Sequence, residues 1–356
     1  MSVSLIRADE AVMVDVAGQE VVLHHGDPGS EYAMLRTGAV VVDQSHRHRM
    51  SVRGARAAEM VTGLVTSDVK SLVPGRGQYA AALTPKGKIV ADLRIFARSA
   101  EELWIDTGPR SAPGWFGIVA KYVNPRVAPH DNITATTADL SVAGVRAADV
   151  VATAIGFDKS VLESLDQYAH LPLGANGEGG LVARIPDVGL DAFALIVPRD
   201  QSASWWRRLV DARAKPSGIA VWDIARIEAG RPEWGIDMDD TTIPQEANLE
   251  ELQAISYTKG CYTGQETVAR VHFRGHVNRH LRNLRFVARE APPPGAQLFA
   301  ESGKVVGEIR SAALSPRLGG VALAMVRREI PLGATVSVRW EGGDCQAGVT
   351  ASPLPL

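Results

Sequence analysis

Lys259-Gly260-Cys261-Tyr262-Thr263-Gly264-Gln265-Glu266 holds one of the two cysteines in a chain of 356 residues. Thr263 and Glu266 have the Ser/Thr-x-x-Glu spacing of a capping box, and the run Thr267-Val268-Ala269-Arg270 behind them suits a helix. The spacing predicts Cys261 just outside a helix N-terminus. There the helix dipole and the charge of Lys259, two residues away, favour thiolate over thiol. A lone cysteine also fills apolar space as a small hydrophobe. The flanking glycines, the lysine and the capping box together assign the sulfur a functional part, with Lys259 as its helper.

The octapeptide, followed by Val268-Ala269-Arg270 and Phe273-Arg274-Gly275, resembles the signature of the YgfZ-type folate-binding proteins. That family is related to the glycine-cleavage T-protein (aminomethyltransferase) and to the mitochondrial iron–sulfur assembly factors of the same superfamily. Ile243-Pro244-Gln245-Glu246-Ala247-Asn248-Leu249 fits the pattern, as does Arg226-Ile227-Glu228-Ala229-Gly230 with Pro232. Farther back, Tyr79, Leu83, Gly87 and Asp92 fall where the T-protein superfamily has its Tyr-x3-Leu-x3-Gly-x4-Asp stretch. The resemblance implies an α+β, three-lobed fold around a central folate channel, with a small β-barrel last. It divides the chain into a folate-binding region at 1–278, of two lobes open to interleaving in sequence, and a barrel at 279–356.

Periodicity supports the same class without the resemblance. Residues 39–53 alternate as strands around a polar turn at 45–48, and 54–64 have helical spacing. Residues 78–83 and 88–96 are strand-like runs joined by Thr84-Pro85-Lys86-Gly87, a hairpin turn in composition. Strands follow at 103–106, 134–150 and 181–197, with helices at 117–122, 146–155 and 201–214. Hairpin-length links outnumber helical crossovers, so the strands are expected to be mostly antiparallel. Beyond Pro292-Pro293-Pro294-Gly295, short strands with Gly/Pro turns predict a small barrel or sandwich.

Composition narrows the function. A hydrophobic fraction of 46% with 22% charged residues is ordinary for a globular protein, and no stretch approaches the roughly 18 apolar residues of a membrane span. Residues 1–10 lack the basic-then-apolar pattern of a signal peptide, and two distant cysteines make no disulfide framework, so a cytoplasmic protein is expected. A net charge of −2 predicts no general affinity for nucleic acid. Charge is nonetheless uneven: residues 222–251 carry a net −7, and residues 270–289 carry six arginines and no acid. These read either as two faces that pair with each other or as a basic rim suited to a polyanion, such as RNA or the glutamate tail of a folate.

Two cysteines cannot supply the four ligands of a stable iron–sulfur cluster, so no resident cluster or metal is expected. His272, His276 and His280 are four apart, but Gly275 interrupts the helix that would align them. No phosphate-binding glycine loop and no nucleophile elbow is present. Folate handling rests on the resemblance. The T-protein uses a carboxylate at an Asp-Asp-Leu step near the folate amines; here the step is Ala91-Asp92-Leu93, with one acid gone. Asp92 is the candidate for a folate nitrogen, Arg226 for a glutamyl carboxylate, and Tyr79 and Trp222 for stacking on the pterin. The Lys-Gly-Cys motif, for which the T-protein has no equivalent cysteine, favours a tetrahydrofolate-binding accessory factor over a turnover enzyme. Its partners would be iron–sulfur proteins, tRNA-modifying ones included, or their assembly machinery. The alternative is a folate-dependent one-carbon transferase or demethylase of the aminomethyltransferase type.

Overall fold

The computed structural model describes residues 11–174, 177–287 and 291–354. Residues 1–10, from which the absence of a signal peptide is read, lie outside it, as does Arg289. Two sheets, a closed barrel and an N-terminal hairpin (Ala11–Val16 with Gln19–His25) make up its β-structure. The class is α+β with a closed terminal barrel, as expected. Every strand pairing is antiparallel except that of Lys215–Ser217 with Val40–Asp43.

The six-stranded sheet runs in the order His170–Pro172, Leu181–Arg184, Ala192–Pro198, Thr137–Ala143, Val40–Asp43, Lys215–Ser217. Its inner strands are buried on both faces: Val40, Val41 and Val42 are at most 1% exposed. A central strand covered on both sides needs an unbroken apolar run, which Val40-Val41-Val42 supplies. One covering layer is the amphipathic helix Ser202–Asp211, which turns Trp205, Trp206 and Leu209 inward.

The chain leaves this sheet after Asp43, builds a second one, and returns at Thr137. The second sheet has the order Gly77–Leu83, Ile89–Ser99, Glu102–Thr107, His48–Arg53, His130–Asn132. In its leading hairpin Ala81 faces Asp92 and Tyr79 faces Arg94 across the ladder, so Tyr79 lies diagonal to Asp92 on one face. The barrel closes through Arg279–Phe286, Gly319–Arg327, Val305–Ser315, Gln297–Phe299, Thr335–Trp340 and Gly343–Thr350.

Polar side chains fasten the barrel to the rest. Asn283 Nδ2 donates to the Ile227 carbonyl at 2.6 Å, Asn248 Nδ2 to the Leu281 carbonyl at 2.8 Å, and the Ser315 hydroxyl to Glu228. Between the lobes, the helix Ile219–Glu228 buries Val221, Trp222 and Ile224–Glu228. Family resemblance marks this segment, but its helical form goes unread from periodicity, because it is buried nearly all round and has no polar face. No helix among the described residues is long and apolar enough to cross a membrane.

Candidate functional site

The lobes meet at a cleft with an inner volume of about 120 Å³, widening to about 900 Å³ when its open mouth is included. Tyr79, Asp92, Trp222 and Arg226, far apart in sequence, all line it. Asp92 accepts a hydrogen bond from the Tyr79 hydroxyl at 2.9 Å. Burial raises the Asp92 carboxyl above the ordinary carboxylate range, while the charge of Arg47 and the Tyr79 hydrogen bond pull against it. Tyr79 stacks nearly parallel to Tyr168, with ring centroids 6.1 Å apart and planes at 9°. Burial pushes the Tyr168 phenol up to about 12, so the ring pair is neutral. Trp222 is 7% exposed and enters from the buried helix.

Arg226, the candidate for a glutamyl carboxylate, is held by the protein's own acids. Its guanidinium contacts Asp237 at 2.7 Å, Asp223 at 2.8 Å and Glu233 at 3.6 Å, and burial works against its charge but the three carboxylates outweigh it. The three carboxylates fix the guanidinium in the cleft lining. The wall below is a buried charge network read from no motif. Arg47 pairs with Asp106 at 2.6 Å, Arg94 reaches Asp106 at 3.4 Å and also pairs with Asp187, and Arg49 donates to the Thr137 hydroxyl at 2.8 Å. Asp139 is driven up to about 6, first by burial and then by the charge of Asp106. His46 is held down to about 3 by burial and by Arg47 and Arg49, so it is neutral in the wall. Tyr168, Arg231, Asp187 and Arg110 are cleft or near-cleft groups that sequence reasoning missed, and only their convergence in space reveals them.

The octapeptide lies elsewhere: none of residues 259–266 lines the cleft. The expected capping box does not form. The helix runs Gln265–Arg274, its cap is Gly264 at φ +83°, and no side chain caps it. The reason is packing. A Cβ at Gly264 would sit 2.6 Å from the Thr84 carbonyl oxygen, so the loop presses on the 84–87 turn and enters the helix through a left-handed glycine. Thr263 is thereby displaced from the cap, and its N–H donates to the Gly63 carbonyl at 3.2 Å. Cys261 is exposed ahead of this turn, Tyr262 is buried in the central core, and Gln265 and Glu266 begin the helix. Gly260 meets nothing within 4 Å of a would-be Cβ.

Lys259 acts as a clamp. Its ammonium donates to the carbonyls of Thr62, Val65 (2.6 Å) and Ser67 (2.8 Å), lies 4.7 Å from the Tyr262 ring centroid, and is brought down to about 8 by burial. Replacing it with methionine strands three carbonyls, each worth about 1 kcal/mol or more when left without a donor. Lys259→Met is expected to lower unfolding free energy by about 2–4 kcal/mol in urea titrations; an unchanged midpoint would sink the clamp assignment.

The acidic and basic stretches pair in part, as the first of the two charge readings has it. Glu246 meets Arg279 at 3.1 Å, and Glu250 meets His272 Nδ1 at 2.7 Å. His272 also stacks on Tyr257 at 3.7 Å, so it faces protein on both counts. Among the described residues no three His, Cys, Asp or Glu side chains converge as a metal site.

Two family models match the chain. Residues 3–256 match the GCVT N-terminal domain family, and residues 279–354 match the glycine cleavage T-protein C-terminal barrel domain. An aminomethyltransferase of Nostoc sp. is 30% identical, covering 97% of this chain and 92% of that protein. One from Rippkaea orientalis is 28% identical, covering 98% and 95%. The crystal structure of glycine cleavage system aminomethyltransferase T from Bartonella henselae superposes with a TM-score of 0.87 at 22% identity, covering 97% of this chain and 94% of that one.

Proposed function

The chain belongs to the glycine-cleavage T-protein family, and on that premise we propose that its central cleft binds tetrahydrofolate and supports a one-carbon transfer in which Asp92 handles the proton. The observation that carries this reading is the pair Tyr79–Asp92: a carboxyl of raised pKa, fixed by a neutral phenol, opening on an aromatic-walled cleft. It reverses the ranking drawn from the octapeptide, because the motif's thiol is exposed outside the cleft and its lysine is used up on backbone carbonyls.

The residues present fit a reduced folate. Tyr79 and Trp222 give the cleft an aromatic lining suited to a flat heterocycle, and Asp92 offers an acceptor for an N–H. Tetrahydrofolate, when bound, supplies the amine nitrogens that carry one-carbon units. Asp92 accepts the proton from such a nitrogen, and its raised pKa brings it closer to the working pH of a general base. Tyr79 orients the carboxylate. The buried network of Arg47, Arg94, Asp106 and Asp187 keeps the floor rigid.

A second reading attaches to Cys261. The loop that carries it is pinned by Lys259 and Gly264, yet leaves the sulfur exposed, an arrangement suited to presenting a thiol to another protein. On this reading the protein is of the YgfZ type, a cytoplasmic accessory to iron–sulfur proteins or their assembly machinery, tRNA-modifying enzymes among them. One pair of experiments separates the two. Calorimetry is expected to show tetrahydrofolate binding at about −6 to −8 kcal/mol. Complementation of a deletion strain is expected to fail with Asp92→Asn and succeed with Cys261→Ser. Absence of binding at millimolar ligand removes the cleft assignment, and failure of Cys261→Ser alone promotes the accessory role.

A further inference from the structure

Five arginines line the cleft. Four of them are neutralised by the protein: Arg47 by Asp106 at 2.6 Å, Arg94 by Asp187, Arg110 by Glu233 at 2.7 Å, and Arg226 by Asp237 at 2.7 Å. Arg231 differs. Among the described residues no carboxylate lies within ion-pair distance of it; its contacts are the Tyr168 hydroxyl, at 2.6 Å, and the face of the Tyr79 ring, 5.6 Å from the centroid. A neutral phenol and a ring face satisfy one donor and one surface of a guanidinium that has five donors, and Asp187 acts on its charge only from beyond ion-pair distance. A guanidinium in a half-buried cleft with no carboxylate in contact and donors to spare suits an anion.

We propose that Arg231 is the carboxylate-binding residue of this cleft, and that the ligand presenting a nitrogen to Asp92 is accompanied by a carboxylate at Arg231. The inference rests on the one-carbon transfer reading of the same cleft. Geometry sets the relation of the two ends. Arg231 covers the ring of Tyr79, and the hydroxyl of that same tyrosine holds Asp92 at 2.9 Å, so anion and amine sites lie within one tyrosine of each other. The remaining charge selects the anion. Asp92, Asp187, Asp223 and Glu233 also line the cleft. Asp187, Asp223 and Glu233 are paired with arginines, so Asp92, held by a phenol, is the carboxylate that disfavours a doubly charged phosphate, whereas a planar, singly charged carboxylate fits the guanidinium edge with two parallel hydrogen bonds. The carboxylate has two chemical sources: the glutamate end of a folate, or an amino-acid donor of the one-carbon unit.

The competing structural role is that Arg231 merely holds Tyr168, whose backbone is left-handed at φ +64°. Affinities separate the two roles. Trp222 lies in the cleft, so tryptophan fluorescence reports ligands, with calorimetry as a check. The probes are tetrahydrofolate, tetrahydropteroate (the same ligand without glutamate), N-methylglycine, and N-methylethanolamine (the same amine without a carboxylate). They are titrated into the full-length wild type, Arg231→Gln and Tyr168→Phe, each first shown by thermal unfolding to be folded.

If the glutamate end is the source, the wild type prefers tetrahydrofolate to tetrahydropteroate by about ten- to a hundredfold, the worth of a charge-assisted hydrogen-bonded pair. If an amino acid is the source, the two pterins bind alike and N-methylglycine exceeds N-methylethanolamine by a similar factor. In either case Arg231→Gln abolishes the preference and Tyr168→Phe keeps it. Retention of the preference by Arg231→Gln overturns the inference, as does a wild type with no preference in either pair. Carboxylate-dependent binding of N-methylglycine without any folate binding would sustain Arg231 and sink the folate reading.

Discussion

Asp92→Asn is expected to reduce tetrahydrofolate-dependent one-carbon transfer by about 10²–10⁴-fold, the usual contribution of a positioned acid/base, while binding of tetrahydrofolate falls far less. The variant keeps the side-chain shape and a partner for the Tyr79 hydroxyl, but it cannot take a proton. The pH profile carries the sharper signature. Because burial raises the Asp92 carboxyl, the wild-type rate should climb with pH through a value above the ordinary carboxylate range, and the limb should vanish in Asp92→Asn. Tyr79→Phe removes a hydrogen bond that favours the carboxylate, so it should move the limb to still higher pH. Stability should go the other way. A carboxyl raised in the folded state binds its proton more tightly there than in the unfolded chain. Its contribution is therefore complete below the unfolded value and is lost as pH rises through the folded one. At neutral pH Asp92→Asn should accordingly be as stable as the wild type or more so, as expected where function has been favoured over stability. A full-rate Asp92→Asn enzyme, or a Tyr79→Phe profile shifted to lower pH, removes Asp92 from the chemistry.

Asp237→Ala carries the second large effect, and it concerns the frame. Asp237 is fully buried and joins three parts of the molecule: it takes Arg226 at 2.7 Å, the Glu233 N–H at 2.9 Å, and the hydroxyl of Ser311 on the barrel at 2.5 Å. Removing one partner of a buried ion pair leaves an under-compensated charge and typically costs about 3–5 kcal/mol. Unfolding free energy should fall by that amount in Asp237→Ala, against about 1 kcal/mol for Ser311→Ala, which loses a hydrogen bond alone. Urea unfolding followed by tryptophan fluorescence compares them. Near-equal losses for the two variants would show that Arg226 is satisfied by Asp223 and Glu233 without Asp237.

Where the sequence was legible, a local rule was enough. The 84–87 turn has the composition of a hairpin link, and the flanking strands pair there with Gly87 left-handed at φ +75°. The short Gly/Pro-punctuated strands after residue 292 do close into a barrel. The capping box was a sound local inference that failed for a distant reason: Thr84, far back in the chain, presses on Gly264 and forces a different entry into the helix.

What the sequence determined by itself was the fold class and the family pattern, because hydrophobic period, turn chemistry and motif spacing are written along the chain; Tyr79, Asp92, Trp222 and Arg226 were nominated through the family resemblance, and all four line the cleft. Tertiary structure alone decided how charge is shared. Arg226 and Arg231 are five residues apart and chemically identical; one is enclosed by three carboxylates and the other faces two neutral rings. Lys259 and Cys261 are two residues apart, yet one is bound to three carbonyls and the other meets solvent. Electrostatic interaction depends on distance and surrounding medium, and both are set by segments that converge only when the lobes pack.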